Sequence, residues 1–135
     1  MAARSGHKDV VKILLERAVD PNIAIFGMTS LHDASYYGHL DVAKELLDRG
    51  AEPNIASHLR TTPLIVAVFS GSTDLVHLLI DRGARTNMIV MRSGLTPLRE
   101  SALVGLIDVV RVLLERGAKP TMMDFSGITP LKFAL

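Results

Sequence analysis

Apolar and polar positions follow a helical period in several short segments of the chain. In the segment from Asp41 to Asp48 the apolar residues recur at the spacing of one helix face. These apolar residues are Val42, Ala43, Leu46 and Leu47. Gly50 ends the run, because glycine adopts the left-handed backbone of a helix end without a Cβ penalty. The pattern therefore predicts a short amphipathic helix that ends before Gly50.

The same arrangement recurs along the chain with a nearly constant period. A Gly-x-x-Asp-apolar segment begins at Gly6, Gly38, Gly71 and Gly105, at spacings of 32, 33 and 34 residues. A second point of the same period is marked by Thr29-Ser30-Leu31, Thr62-Pro63-Leu64, Thr96-Pro97-Leu98 and Thr129-Pro130-Leu131. A fixed period of this length is typical of a repeat architecture in which single units stack on their neighbours.

Each period predicts two helices and a turn-rich connection. Threonine at an N-cap accepts a backbone N–H, and proline at the next position has the φ of a first helical turn. Thr62-Pro63 and Thr96-Pro97 therefore predict helix starts, and the glycines at 38, 71 and 105 end these first helices. The second helix follows at once. Length differences between units fall in the connection, where exposed loops tolerate them.

The stretch TSLHDASYYGHLDVAKELLDRGAEPN, from Thr29 to Asn54, resembles the ankyrin repeat pattern TPLHxAxxGHxxVVxLLLxxGAxxN over almost its whole length. The resemblance extends over essentially the entire chain. It implies an all-α ankyrin repeat solenoid whose connections form β-hairpin fingers. We expect one ankyrin repeat domain over residues 1–135. It would contain a partial repeat at 1–28, repeats at 29–61, 62–95 and 96–128, and a partial repeat at 129–135.

Both ends of the array lack part of a repeat. Ala2 to Ser5 correspond to the end of a first helix, and Thr129 to Leu135 correspond to a first helix without its second. We expect either a segment of a longer array or a short protein whose ends other contacts cover. End-to-end self-association through the truncated repeats, or fraying of the last helix, is expected from the apolar surface that these ends leave open.

Two positions depart from the family pattern. The histidine that links neighbouring ankyrin units by hydrogen bonds is present only as His32, and Ile65, Arg99 and Lys132 replace it. We therefore expect that hydrogen-bond network to be interrupted. Ala18 stands where the other units have glycine, and a Cβ in the left-handed conformation costs about 1 kcal/mol. The first unit should be the least stable one.

Composition and charge argue against several classes of function. A formal net charge of +1 with scattered Lys and Arg does not predict a nucleic-acid interface, and no apolar run is long enough to span a membrane. The chain has no cysteine, which excludes disulfides and fits an intracellular protein, cytoplasmic or nuclear. The segment from Met1 to Lys12 is polar and does not predict a signal peptide. The five histidines have no metal-ligand spacing, and no nucleophile or phosphate loop is recognisable. We expect no metal, no cofactor and no enzymatic activity.

The resemblance implies a concave recognition face built from two sets of residues. One set precedes each repeat's Thr, and the other precedes the glycine that ends each first helix. The finger positions are Ile25, Phe26, Met28, His58, Leu59, Arg92, Leu95, Phe125 and Ile128. The helix positions are Tyr36, Tyr37, Phe69, Leu103 and Val104. Five of the six aromatic residues fall in these sets, whereas Leu, Val, Ile and Ala fill the predicted core.

Two functions of different classes follow. The first is a protein-interaction module, an adaptor, scaffold or inhibitor, that presents this mostly apolar groove to another protein or peptide. The second is a structural spacer within a longer array, whose concave face its own chain covers. A purely structural explanation also exists for the aromatic residues, since Phe26, Tyr37 and Phe69 would shield the finger bases if they packed against neighbouring units.

Overall fold

Paired helices form two stacked rows in the computed structural model, which describes residues 1–90 and 94–134. The first row contains α2 (Ser30–Tyr36), α4 (Pro63–Phe69), α6 (Pro97–Val104) and α8 (Pro130–Ala134). The second row contains α1 (Lys8–Glu16), α3 (Leu40–Asp48), α5 (Thr73–Asp81) and α7 (Ile107–Glu115). Each helix packs against its successor in the same row, and α2, α4 and α6 pack against the second helix of their own unit.

The predicted helix starts and ends are confirmed. Thr62 Oγ1 accepts the backbone N–H of Ile65 at 3.4 Å, and Thr96 Oγ1 accepts that of Arg99 at 3.1 Å. Both helices have proline in their first turn. The glycines at 38, 71 and 105 have φ of 72°, 71° and 80°, the left-handed values that the pattern required. An acid lies in the first turn of every second helix, where it complements the helix dipole.

The core lies between the two helix rows and is aliphatic. The largest fully buried side chains include Leu31, Leu64, Leu75, Leu79 and Leu113. Small residues such as Ala34, Ala43 and Ala67 let neighbouring helices approach closely. No Phe or Tyr side chain is buried among residues whose exposure the structure describes, so stacking of units rests mainly on Leu, Val, Ile and Ala.

Two parts of the described chain differ in local structure from a complete repeat. Residues 2–6 are turns, but their hydrogen bonds are those of a helix end, with the backbone N–H of Ser5 donating to the carbonyl of Met1 and that of His7 to the carbonyl of Ala2, both at 3.1 Å. Paired strands occur in only one finger of the described part of the chain, where β1 (Ala24–Ile25) and β2 (Met28–Thr29) are antiparallel. The later fingers close by turn hydrogen bonds, such as Ser57 N–H to Thr61 C=O at 2.9 Å.

Candidate protein-interaction surface

The tip of the first finger has a strained backbone. Phe26 and Gly27 join the two strands, and both have positive φ, 53° and 77°. A two-residue hairpin with this backbone favours Asn-Gly or Asp-Gly, because short polar side chains and glycine tolerate the left-handed region. A phenylalanine there is unusual, and its side chain is 78 % exposed.

The first two finger tips are packed together. A Cβ on Gly27 would lie 2.7 Å from Ser57 Cα, so only glycine permits this approach. The backbone N–H of His58 donates to the carbonyl of Phe26 at 3.4 Å, and the two rings meet edge to face at 6.2 Å between centroids. The result is a continuous exposed surface, which we call the tip patch. It consists of Ile25, Phe26, His58, Leu59 and Arg60.

A second cluster lies where the first helices end. Tyr36 and Tyr37 contact edge to face at 5.0 Å between centroids. Tyr37 is stacked on His39 at 6.1 Å, and the guanidinium of Arg4 lies 5.7 Å from the centre of the Tyr37 ring. His39 Nε2–H also donates to the carbonyl of Arg4 at 2.9 Å. These contacts fix Tyr37 but leave Tyr36 60 % exposed.

The neighbouring helix end continues this cluster. Ser70 Oγ donates to the carbonyl of Ser35 at 3.0 Å, which holds the ends of α2 and α4 side by side. Phe69 precedes Ser70 and is 49 % exposed, so this neighbouring helix end also presents an aromatic ring to solvent. We call the set Arg4, Tyr36, Tyr37 and Phe69 the helix-end patch.

A cleft of about 560 Å³ borders both patches. Arg4 from the helix-end patch and Ile25 and Phe26 from the tip patch all line it. Its remaining walls are Met1, Val19, Asp20, Ile23, Met28, Thr29, Ser30 and Asp33. The cleft is therefore mainly apolar, with an arginine and two carboxylates among its walls.

Most of the predicted recognition residues are exposed. Exposed side chains are those of Ile25, Phe26, Met28, Tyr36, Tyr37, His58, Leu59, Phe69, Leu103, Val104 and Phe125. Leu95 and Ile128 are half-buried, so they contribute less surface than we expected. Arg92 lies outside the described residues. The structure adds Arg60, which is exposed and left-handed at φ 58°. Arg60 stands at the repeat position that Gly27 and Gly127 occupy, so the sequence could have predicted its left-handed backbone at the finger tip.

Asparagine side chains join successive units below this surface. Asn22 Nδ2 donates to the carbonyl of Gly50 at 3.1 Å, and Asn22 Oδ1 accepts the backbone N–H of Glu52 at 2.8 Å. Asn54 makes the same two bonds to Gly83 and Arg85, and Asn87 makes them to Gly117 and Lys119. At each of these junctions the asparagine side chain therefore uses both its amide nitrogen, as a donor, and its amide oxygen, as an acceptor.

The histidine link between units is present where it was expected. His32 Nδ1 accepts the backbone N–H of Thr29 at 3.1 Å, so His32 Nε2 carries the proton and donates to the carbonyl of Thr61 at 3.0 Å. The side chain is fully buried. Burial lowers the pKa of His32 below its ordinary value, although the bond to Thr61 and the nearby Asp33 carboxylate partly oppose this shift. His32 is thus held as the neutral imidazole.

The expected interruption of this network is only partly correct. Ile65 is buried in the apolar core, so its side chain makes no polar link. At the same position of the next unit, however, an Arg99 guanidinium nitrogen lies 3.1 Å from Asp124 Oδ2. Asp124 Oδ1 accepts the backbone N–H groups of Ser126 and Ile128 at 2.8 and 2.9 Å. An ion pair therefore holds the finger where the family pattern has a histidine.

Among residues 1–90 and 94–134, no group of three His, Asp or Glu side chains could hold a metal ion. In the same part of the chain, no helix has the length and apolar character needed to cross a membrane.

Comparison with known proteins agrees with the stacked helix pairs. The family model described as ankyrin repeats (3 copies) matches residues 1–57 and 50–124. The chain therefore belongs to the ankyrin repeat family, and its fold is the all-α ankyrin solenoid. Ankyrin repeats are generally protein–protein interaction modules and are typically non-enzymatic. A search of curated proteins gives no match.

Proposed function

We propose that this chain binds another protein or peptide through the tip patch and the helix-end patch, as an adaptor, a scaffold or an inhibitor. The proposal is supported by where the aromatic side chains lie. Phe26, Tyr36, Tyr37, Phe69 and Phe125 are between 44 % and 78 % exposed, whereas the core is aliphatic. Clustered exposed aromatics are typical of the centres of protein interfaces.

Phe26 is the observation that carries the proposal. A bulky residue in the left-handed conformation costs about 1 kcal/mol, and an exposed phenyl ring recovers little of this by burial. Its edge contact with His58 offsets only part of the cost. Strained residues with exposed apolar side chains are a feature of binding sites, because the strain is compensated when a partner covers the ring.

The first experiment separates stability from binding at this residue. Phe26→Asn keeps a residue that tolerates positive φ and completes the Asn-Gly hairpin turn. We expect the free energy of unfolding to rise by roughly 0.5 kcal/mol and binding of a captured partner to weaken at least about tenfold. Urea denaturation measures the first quantity, and surface plasmon resonance measures the second. A packing residue would lose stability and keep binding.

A second variant tests the helix-end patch. Tyr36→Ala with Phe69→Ala removes two exposed rings outside the aliphatic core, so the circular dichroism spectrum should be unchanged while partner binding falls by at least about thirtyfold. Lys44→Ala, on the exposed side of α3, is the control and should bind within about twofold of the original chain. Full affinity of the double variant would contradict the proposal and favour a structural spacer whose face is covered by its own chain.

A further inference from the structure

Acidic side chains are unevenly distributed over the repeats. The chain has 14 acidic residues, and nine of them lie on the second helices α1, α3, α5 and α7. The recognition positions contain none. These positions are residues 25–28, 58–61, 92–95 and 125–128 in the fingers, and residues 4–5, 36–37, 69–70 and 103–104 at the helix ends. Their ionised side chains are the arginines at 4, 60 and 92.

The two described arginines stand beside exposed apolar surface. Arg4 lies over the Tyr37 ring and lines the apolar cleft, and Arg60 follows Leu59, which is 51 % exposed, in the tip patch. Arginine in such a place binds carboxylates through a planar fork of N–H groups, and its flat faces tolerate apolar neighbours. Each patch therefore combines an apolar anchor site with a cation.

Two acids also line the cleft, Asp20, which is exposed, and Asp33, which is half-buried. They offset the charge of Arg4 there, so the cleft itself suits the apolar side chains of a partner. Asp20 Oδ1 accepts the backbone N–H of Asn22 at 2.9 Å, which occupies one of its oxygens in a turn. Further along the chain, Glu100 and Asp124 are buried, and Asp124 is paired with Arg99. Among the described recognition positions from the second finger onward, the charged side chain is that of Arg60, which is exposed.

We propose that the partner segment is acidic, with bulky apolar side chains interleaved with Asp or Glu. This inference rests on the proposed function and specifies its ligand. One or two apolar side chains of the segment enter the cleft of about 560 Å³ beside Phe26, and its carboxylates pair with Arg4 and Arg60. Charge complementarity of this kind gives orientation and a faster encounter, and it disfavours basic segments, which would leave like charges opposed.

The number of cations favours a peptide over a nucleic acid. Binding to a phosphate backbone depends on many Lys and Arg side chains along one track. Three arginines among these positions and a formal net charge of +1 do not provide such a track. A large share of apolar contact with a few oriented cations suits a protein segment instead.

Peptide display on the full 135-residue chain tests the inference. A random 16-residue library is selected on the immobilised chain, and the enriched sequences are compared with the input for Asp and Glu content. We expect enrichment of acidic sequences with aromatic or aliphatic residues. Three fluorescent versions of one enriched peptide, with Glu, Gln or Lys at its acidic positions, are then measured by fluorescence polarisation. The Glu version should bind at least about tenfold more tightly than the Gln version at low salt, and the Lys version least.

Charge-matched variants locate the contact. Arg4→Ala with Arg60→Ala should weaken the Glu peptide at least about tenfold and leave the Gln peptide nearly unchanged. Lys44→Ala with Arg111→Ala removes the same total charge from the second helices and should change affinity less than about twofold. Alanine at position 60 has a Cβ as arginine does, so the left-handed backbone there is equally strained in the Arg4→Ala, Arg60→Ala variant and in the original chain.

The outcomes separate this inference from the proposed function. The selected peptides could lack an acidic bias and still bind the Tyr36→Ala, Phe69→Ala chain more weakly than the original chain. That result would overturn the acidic partner but support the interaction surface. Enriched peptides that bind every variant equally, or no enrichment at all, would overturn both. Tighter binding of a 20-nucleotide oligouridine than of any peptide would replace the acidic segment by nucleic acid.

Discussion

An Arg99 guanidinium nitrogen lies 3.1 Å from Asp124 Oδ2, and the two side chains are only 11 % and 4 % exposed. This pair connects the start of α6 with the finger that follows α7. An isolated buried charge is unfavourable, so each partner depends on the other. The pair is therefore a stabilising link of this finger that the family pattern does not contain.

Breaking this pair should destabilise the chain strongly. Asp124→Asn keeps an oxygen for the N–H groups of Ser126 and Ile128 but leaves the Arg99 charge without its carboxylate. We expect a loss of about 3 kcal/mol in the free energy of unfolding, measured by urea denaturation. Asp81→Asn removes one partner of the exposed pair with Arg116 and should cost less than about 1 kcal/mol. Equal losses would mean that Asp124 contributes only through its turn.

Stability should fall in mild acid because of His32. Its folded-state pKa is lowered by burial, so the unfolded chain takes up a proton first as the pH falls below about 6.5. The contribution of the neutral imidazole is complete above that pH and is lost progressively below it. Thermal unfolding at pH 7.5 and pH 5.5 should show a smaller fall of Tm for His32→Gln than for the original chain. His77→Gln, at an exposed position of α5, should behave like the original chain.

Glu100 should act in the opposite direction. Burial raises its pKa, although the nearby Arg99 partly lowers it, so the folded state holds the proton more tightly than the unfolded chain does. The ionised carboxylate therefore reduces stability at neutral pH, and this penalty disappears as the pH falls. Glu100→Gln should raise the free energy of unfolding by about 1 kcal/mol at pH 7.5. Its advantage in urea denaturation should shrink steadily towards pH 4.5, and a constant advantage would exclude ionisation as the cause.

Ala18 is strained at the end of the first unit. Its φ is 60°, the left-handed value that glycine has at the equivalent helix ends. Ala18→Gly should raise the free energy of unfolding by roughly 0.5 kcal/mol, since relief of about 1 kcal/mol is partly offset by added freedom in the unfolded chain. Gly50→Ala is the reverse change at the equivalent place, where φ is 92° and a Cβ would meet no atom within 4 Å. It should lower the free energy of unfolding, and Tm measurements on both variants check the pair.

Much of this fold could be predicted because its signals are local. A Thr-Pro pair determines a helix start, and a glycine or Ala18 in register determines a left-handed helix end, whatever the rest of the chain does. The exposure of Phe26 and Tyr36 followed in the same way from their position in the repeat.

Other features depend on contacts between distant side chains. The pair of Arg99 and Asp124 could not be predicted from the loss of a histidine at position 99. The repeat position determines which finger the side chain of Arg99 reaches, but the ion pair also needs a carboxylate in that finger, which Asp124 provides. Paired strands also failed to form in the second and last described fingers, because Ser57 and Asp124 accept the turn N–H groups that a strand ladder would otherwise engage. Repeat register alone does not predict whether a finger closes by paired strands or by hydrogen bonds within a turn.

The asparagine bonds between units have a consequence for how such a protein diverges. Asn22, Asn54 and Asn87 hold successive units through backbone atoms of the next unit, so the side chains around them are free to change. None of these three residues belongs to the tip patch or the helix-end patch. Gene duplicates of this chain could therefore acquire new partners by substitution at the patches while their unit-to-unit geometry is inherited unchanged. Selection on partner choice and selection on folding would then act on separate codons.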